Sequence, residues 1–394
     1  MDPTPAALAP EATQHMVVGA GAAAGDADLA LELGDLHPSA HGAFRLHLSL
    51  TDGLVVAADP EVGLLHRGAE KLFEVRDFRQ GMVLANRHDW LSAFAGELGL
   101  ALAVERLLGL HPPERATWTR TLLAELTRVL ATLTFVGAFP YEEPWPGAPQ
   151  EPPPGLRERE PLQRLLEDLS GGRVHPMLAR VGGLAHAPSP EWLRQVTDTT
   201  AQVRAGLPDL RGRVDAERPR TTGLAVLSRD DAVTVAASGP VARASGLDLD
   251  LRRDDPYLAY PELAEAGLLR VAVADAGDTA ARLDLALDQV EVALDLVEAC
   301  AQRLASMPDA PVSVRLPKVV RTPEGATYVW TEAPTGVAGW YLVSRGDKTP
   351  WRLKLRTPSY AHVQALARAL PGTPLESLPA AVAGFFLVVG DIDR

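Results

Sequence analysis

Between Asp89 and Leu110 the chain reads DWLSAFAGELGLALAVERLLGL, apolar on nearly every side of a helical wheel. A helix with no polar face has to be surrounded, either by protein or by lipid. Glu97, Glu105 and Arg106 interrupt the run, which excludes lipid and leaves a buried core helix. Whatever fold the chain adopts must supply elements on all sides of this one.

Those elements are legible on either side. After Pro112-Pro113 a helix is expected over Arg115–Phe139, with Leu122, Leu126, Val129, Leu133 and Val136 on one face. A longer one is expected from Asp278, a suitable N-cap, to about Leu304. Its Leu283, Leu287, Val290, Leu294, Val297 and Ala301 keep a four-three spacing, the seam of a helix packed against other helices. One step over, Asp284, Asp288, Glu291, Asp295 and Glu298 share a face, read as solvated in preference to a basic partner docking there. Shorter helices are expected at Gly68–Arg76, at Leu156–Leu169, and from Ser189, an N-cap before Pro190. Residues 143–155 carry too many prolines for helix or central strand.

Strand periodicity occupies the two ends. From Ala43 to Leu50 apolar residues alternate with Arg45, His47 and Ser49, Thr51-Asp52-Gly53 supplies a turn, and Leu54–Ala58 returns. Near the C-terminus Ala326–Thr331, Gly339–Ser344 and Pro350–Arg356 read as strands. In the last of them Trp351, Leu353 and Leu355 face one way and Arg352, Lys354 and Arg356 the other. The fold class is therefore α+β, a helical core between β-rich ends. The boundaries expected are a flexible leader at 1–35, a β-hairpin region at 36–60, the helical core at 61–310 and a β-rich region at 311–394. Within the leader, GAGAAAG (Gly19–Gly25) follows only Met16-Val17-Val18 and precedes no amphipathic helix, so no dinucleotide site is expected.

Composition removes several function classes. A net charge of −13 offers no broad basic footprint for nucleic acid. One cysteine, Cys300, permits no disulfide within the chain and no iron–sulfur cluster held by it alone. No metal site is expected either, since His37 and His41 flank Pro38 and lack evident further ligands. The apolar run Ala380–Gly390 is short of the roughly 20 residues that span a membrane. No basic-then-apolar signal sequence is read at the N-terminus.

Several blocks, in order, resemble the D-subunit family of the proton-pumping NADH:quinone oxidoreductase, respiratory complex I. They are HPSAHGAFRLHLSL and VGLLHRGAEKLFEVRDFRQ between His37 and Gln80, LALAVERLLGLHPPERATWTRTLLAELTRVL (Leu100–Leu130), and REREPLQRLLEDLSGGRVHPMLARVGGL (Arg157–Leu184). RASGLDLDLRRDDPYLAY (Arg243–Tyr260), EAPTGVAGWYLVSRGDKTPWRLKLRTPSYAHVQAL (Glu332–Leu366) and the terminal GDIDR complete the set. The resemblance implies the fold of the [NiFe]-hydrogenase large subunit without its metal; the two Cys-x-x-Cys pairs that would hold nickel and iron are absent.

The resemblance also implies a role and a site. The chain would line a quinone pocket next to the iron–sulfur B subunit, with the C subunit and the membrane-arm subunits as further partners, peripheral to the cytoplasmic side of the cell membrane. Quinone would be the substrate, with FMN and iron–sulfur clusters on partner subunits. Carried over residue by residue, the pocket holds His37 and His41 of the His-Pro-Ser-x-His loop, Glu142 at the family's aspartate and Trp90 at its tyrosine. Of these, His41 and Glu142 would be catalytic. An imidazole that titrates near 6.5 suits proton delivery, and a neighbouring carboxylate fixes its tautomer. Indole donates a hydrogen bond but releases no proton, so Trp90 departs from the family's chemistry; Tyr141 is a nearby phenol in sequence. The Pro-rich stretch after Glu142 and Pro334-Thr335-Gly336-Val337, at the family's Pro-Arg-Gly-Glu turn, depart too. A divergent second copy, catalytic or a non-catalytic structural or regulatory paralogue, fits these departures.

Overall fold

The computed structural model describes residues 13–18, 29–31, 44–143, 146 and 150–394, and of 29–31 the backbone alone. Four strands form the N-terminal sheet: β1 (Gln14–Val18), β2 (Leu29–Leu31), β3 (Arg45–Thr51) and β4 (Leu54–Glu61). Their order is β2-β1-β3-β4, with β1 parallel to β2 and the other pairs antiparallel. The hairpin read from the sequence is the β3–β4 half of this sheet, turned at Asp52 and Gly53, both at positive φ. Two stretches of the expected leader are thus strands. Met16, Val17 and Val18 are buried beside Leu46, His47 and Leu48, contacts that no local pattern could announce.

The helices follow as α1 (Ala69–Glu74), α2 (Phe78–Ala85), α3 (Ala93–Leu108), α4 (Glu114–Gly137) and α5 (Leu156–Ser170). The short strands β5 (Ala179–Arg180) and β6 (Gly183–Leu184) precede α6 (Pro190–Ala216). Five short helices come next: α7 (Arg218–Thr221), α8 (Arg229–Thr234), α9 (Gly239–Ala244), α10 (Leu251–Asp254) and α11 (Tyr260–Glu265). The long α12 (Thr279–Ser306) leads to the C-terminal sheet β7 (Glu324–Ala333), β8 (Gly336–Arg345) and β9 (Arg352–Arg356), and α13 (Pro358–Ala369), α14 (Leu378–Ala383) and α15 (Val389–Asp393) close the chain.

Where caps were legible the helices begin as expected. Ser189 accepts from the Trp192 N–H and Asp278 from the Ala281 N–H. The seam of α12 is wholly buried and packs on α4 and α6. The first apolar helix starts at Ala93 rather than Asp89, because Asp89 folds its carboxylate back onto the backbone (below). Its α3 body lies under β7 and β8, where Gly99 receives the indole of Trp340.

The acidic stripe of α12 stays partly solvated but is paired within the chain. Arg204, Arg211 and Arg218, spaced by seven on α6 and just beyond it, reach across to it. Arg204 pairs with Asp295 and Glu298, Arg211 with Asp288 and Glu291, and Arg218 with Asp284. Antiparallel helices with a heptad spacing keep these rows in register.

Deeper in the core six charges meet. Arg128 and Arg252 share Glu125, Arg252 and Arg243 share Asp250, and Arg243 also holds Glu332 at 2.9 Å. All six side chains are buried, and Tyr260 adds a 2.6 Å hydrogen bond to Glu125. The arginines hold the carboxyls of Glu125 and Asp250 below the usual range despite their burial. Glu332, pressed against Asp250, is held above it by burial.

At the C-terminus Leu353 and Leu355 face inward as expected, but Trp351 does not join them. It lies just before β9, half exposed, with the Arg345 guanidinium 3.1 Å above its ring. Ala380–Gly390 is packed core, with Phe385 and Leu387 fully buried.

Candidate functional site

The turn between α2 and α3 carries Trp90. Asp77 starts α2 with a reciprocal capping box to Gln80, a helix the sequence reading did not separate from its surroundings. After α2 the turn is fixed by Asp89, whose carboxylate accepts the N–H groups of Leu91 and Ser92, each at 3.1 Å, and the Ser92 hydroxyl. That places Trp90 half-buried, its ring over Gly390, where a Cβ would collide with it. On its other side is a cavity of about 30 Å³ shared with Phe94, Thr127, Arg159 and Gln163. This is room for a water, not for a quinone ring. The Thr127 hydroxyl is buried there with no partner, and the Trp90 Nε1 makes no hydrogen bond among the described residues.

Behind Trp90 the C-terminal helix closes a buried acidic group. Asp391 accepts the Ser359 N–H at 3.0 Å and lies 3.8 Å from His88 Nε2, with Asp89 alongside. Burial pushes the Asp391 carboxyl up to about 6. Burial and the nearby Asp391 charge hold Asp89 above its ordinary value as well. Burial holds His88 below its own, so the His88–Asp391 approach joins a neutral imidazole to a carboxyl and is not an ion pair. Two residues on, Asp393 accepts the N–H groups of Gly63 and Leu65, both at 2.6 Å, and its carbonyl meets His66 Nδ1 at 2.7 Å. The VGLLHRG turn and the terminal GDIDR, far apart in sequence, are one structural unit.

Glu142 sits just past α4, exposed, its N–H donating to Glu217 Oε1 at 2.8 Å. Tyr141 beside it is committed: its hydroxyl donates to the Val136 carbonyl at 2.9 Å, and Arg213 stacks on its ring at 3.9 Å. Burial raises its phenol well above the usual value, so it is a poor proton source. His37 and His41 lie outside the described residues. Of the four pocket residues expected, Trp90 and Glu142 are therefore described, on the turn before α3 and the loop after α4. The sequence reading missed Asp89, His88, Asp391 and Asp393. Only Asp89, three residues before Ser92 at a helix start, left a local signal.

Among the described residues no group of three or more His, Cys, Asp or Glu could hold a metal ion. Cys300 is buried, its thiol pushed far up by burial. Among those residues no helix is long and apolar enough to cross a membrane.

Comparison with known proteins bears on the whole chain. The family model described as the respiratory-chain NADH dehydrogenase 49 kDa subunit matches residues 154–322 and 314–394. A Salinispora tropica protein, named as the NADH-quinone oxidoreductase D subunit numbered 2, is 54% identical over 386 residues, 97% of each chain. The D subunit numbered 1 of Streptomyces coelicolor is 50% identical over 97% of this chain and 99% of its own. The D subunit of Geobacillus thermodenitrificans is 33% identical, covering 93% of this chain and 98% of its own.

Proposed function

This chain belongs to the family of the respiratory-chain NADH dehydrogenase 49 kDa subunit, and from that membership we propose that it lines the quinone pocket of an NADH-quinone oxidoreductase. In this reading it is a peripheral subunit on the cytoplasmic side of the membrane, packed against the cluster-bearing B subunit and the C subunit. Oxidation of NADH yields NAD⁺, one proton and two electrons, which reach quinone through flavin and iron–sulfur clusters on partner subunits. Quinone takes the two electrons and two protons to become quinol.

This chain's own residues would bind the headgroup and deliver protons. His41 donates to one quinone oxygen, and Glu142 holds its tautomer and favours the protonated form. Trp90 anchors the ring through Nε1–H but gives up no proton. The observation that carries the site is Trp90 itself: half-buried, wedged over Gly390, with its indole N–H making no hydrogen bond among the described residues. Tyr141, tied to Val136, is a poor source for the second proton. That same fact favours a second reading, a paralogue that keeps the scaffold without turnover.

The test is the assembled complex carrying His41→Ala. Quinone-reductase turnover should fall several-fold, up to about 10²-fold for a lost general acid. Reduction of a soluble artificial acceptor upstream of the quinone step should persist. Unchanged quinone turnover would contradict the pocket role, and no turnover in the unaltered complex would establish the paralogue.

A further inference from the structure

The C-terminal sheet has one face on α3 and one turned outward. Register fixes what the outward face shows. Tyr328 on β7 stands opposite Tyr341 on β8, which stands opposite Lys354 on β9. The next row is Trp330, Gly339 and Arg356, and Tyr328 meets Trp330 edge-on at 5.7 Å. Strands lie about 4.8 Å apart, so each row runs from ring to cation over about 10 Å.

Two facts mark this face. Among the described residues the exposed large aromatics are Tyr328, Trp330, Tyr341, Trp351 and Tyr360, all within this C-terminal stretch. Of its cations Arg352 pairs with Glu70 and Glu74, whereas Arg345, Lys354 and Arg356 make no ion pair among the described residues, in a chain of net charge −13. Arg356 donates only to the Ser238 hydroxyl and to the Val337 and Ala236 carbonyls. Arg345 stacks on Trp351, and Lys354 makes no ion pair or hydrogen bond among the described residues.

We propose that this face is the docking surface for an acidic polypeptide segment of another protein in the complex. Aromatic rings beside arginine are the composition that concentrates binding energy at protein interfaces. The unpaired cations call for carboxylates, which would set register and steer association. A protein fits better than an anionic membrane, because Asp255, which accepts the Trp330 N–H, and Glu324 border the same face and would be pressed into lipid phosphate.

The experiment places a benzophenone amino acid at Tyr341 in cells that make the whole complex, and irradiates the purified assembly. The expected result is one adduct with a second protein of the complex, through a peptide rich in Asp or Glu. A Lys354→Glu variant should lower the assembled fraction by roughly half or more at physiological salt, because it sets like charges against each other. An assembled complex with no protein adduct, an adduct through a peptide without carboxylates, wild-type assembly of Lys354→Glu, or an adduct with anionic lipid would each overturn the proposal. None of these outcomes depends on quinone turnover, so failure here is distinct from failure of the pocket.

Discussion

Two buried polar regions of this molecule treat charge in opposite ways. In the α4–α10–β7 cluster Glu125, Asp250 and Glu332 each face an arginine, and Glu125 and Asp250 are held ionised far below neutral pH. Behind Trp90, Asp89 and Asp391 make no ion pair with an arginine or lysine among the described residues, and burial raises their carboxyls despite the Arg394 and Arg356 charges near Asp391. Glu125 and Asp250, each held by two arginines, stay ionised and form a fixed part of the scaffold, while Glu332 beside them is held above its ordinary value by burial. An unpaired buried carboxyl costs stability. The first region is paired architecture; the second lies directly behind Trp90.

The largest effect should come from breaking the paired cluster. Arg252→Met leaves Glu125 with Arg128 and the Tyr260 hydroxyl, and Asp250 with a long contact to Arg243 as its remaining arginine. Removing one partner of a buried pair costs about 3–5 kcal/mol. Denaturant unfolding should show that loss at every pH from 6 to 9. A loss under about 1 kcal/mol would erase the distinction between the two regions.

A smaller and pH-dependent effect is expected at Asp391. It titrates at about 6 in the fold against an ordinary 3.8, so the folded chain keeps a proton that the unfolded chain releases between those values. Its contribution is therefore most favourable below about pH 4 and declines as pH rises through 6. Asp391→Asn, which cannot ionise, should gain about 3 kcal/mol over the wild type at pH 8 and nearly nothing at pH 4. Equal shifts at both pH values would show that the carboxyl is not titrating there.

The helical scaffold was largely legible because its signals are local. The four-three seam of α12 and the caps at Ser189 and Asp278 depend on residues a turn or two apart. What escaped depends on distant partners. The acidic stripe of α12 reads as solvated until Arg204, Arg211 and Arg218 are placed beside it, although their spacing by seven was in the sequence to be seen. Met16–Val18 became a strand only by pairing with β3. The candidate site divides the same way. Trp90 and Glu142 are proposed from motif order, whereas Asp391 reaches His88 across some three hundred residues, beyond any periodicity.

The account rests on this chain forming part of the wall around quinone, and the most direct measurement is labelling of the intact complex with a photoreactive short-chain quinone. The account predicts that label, competed away by unmodified quinone, falls on this chain in peptides containing Trp90 or His41. Competable label confined to the other proteins of the complex, with none on this chain, would contradict it.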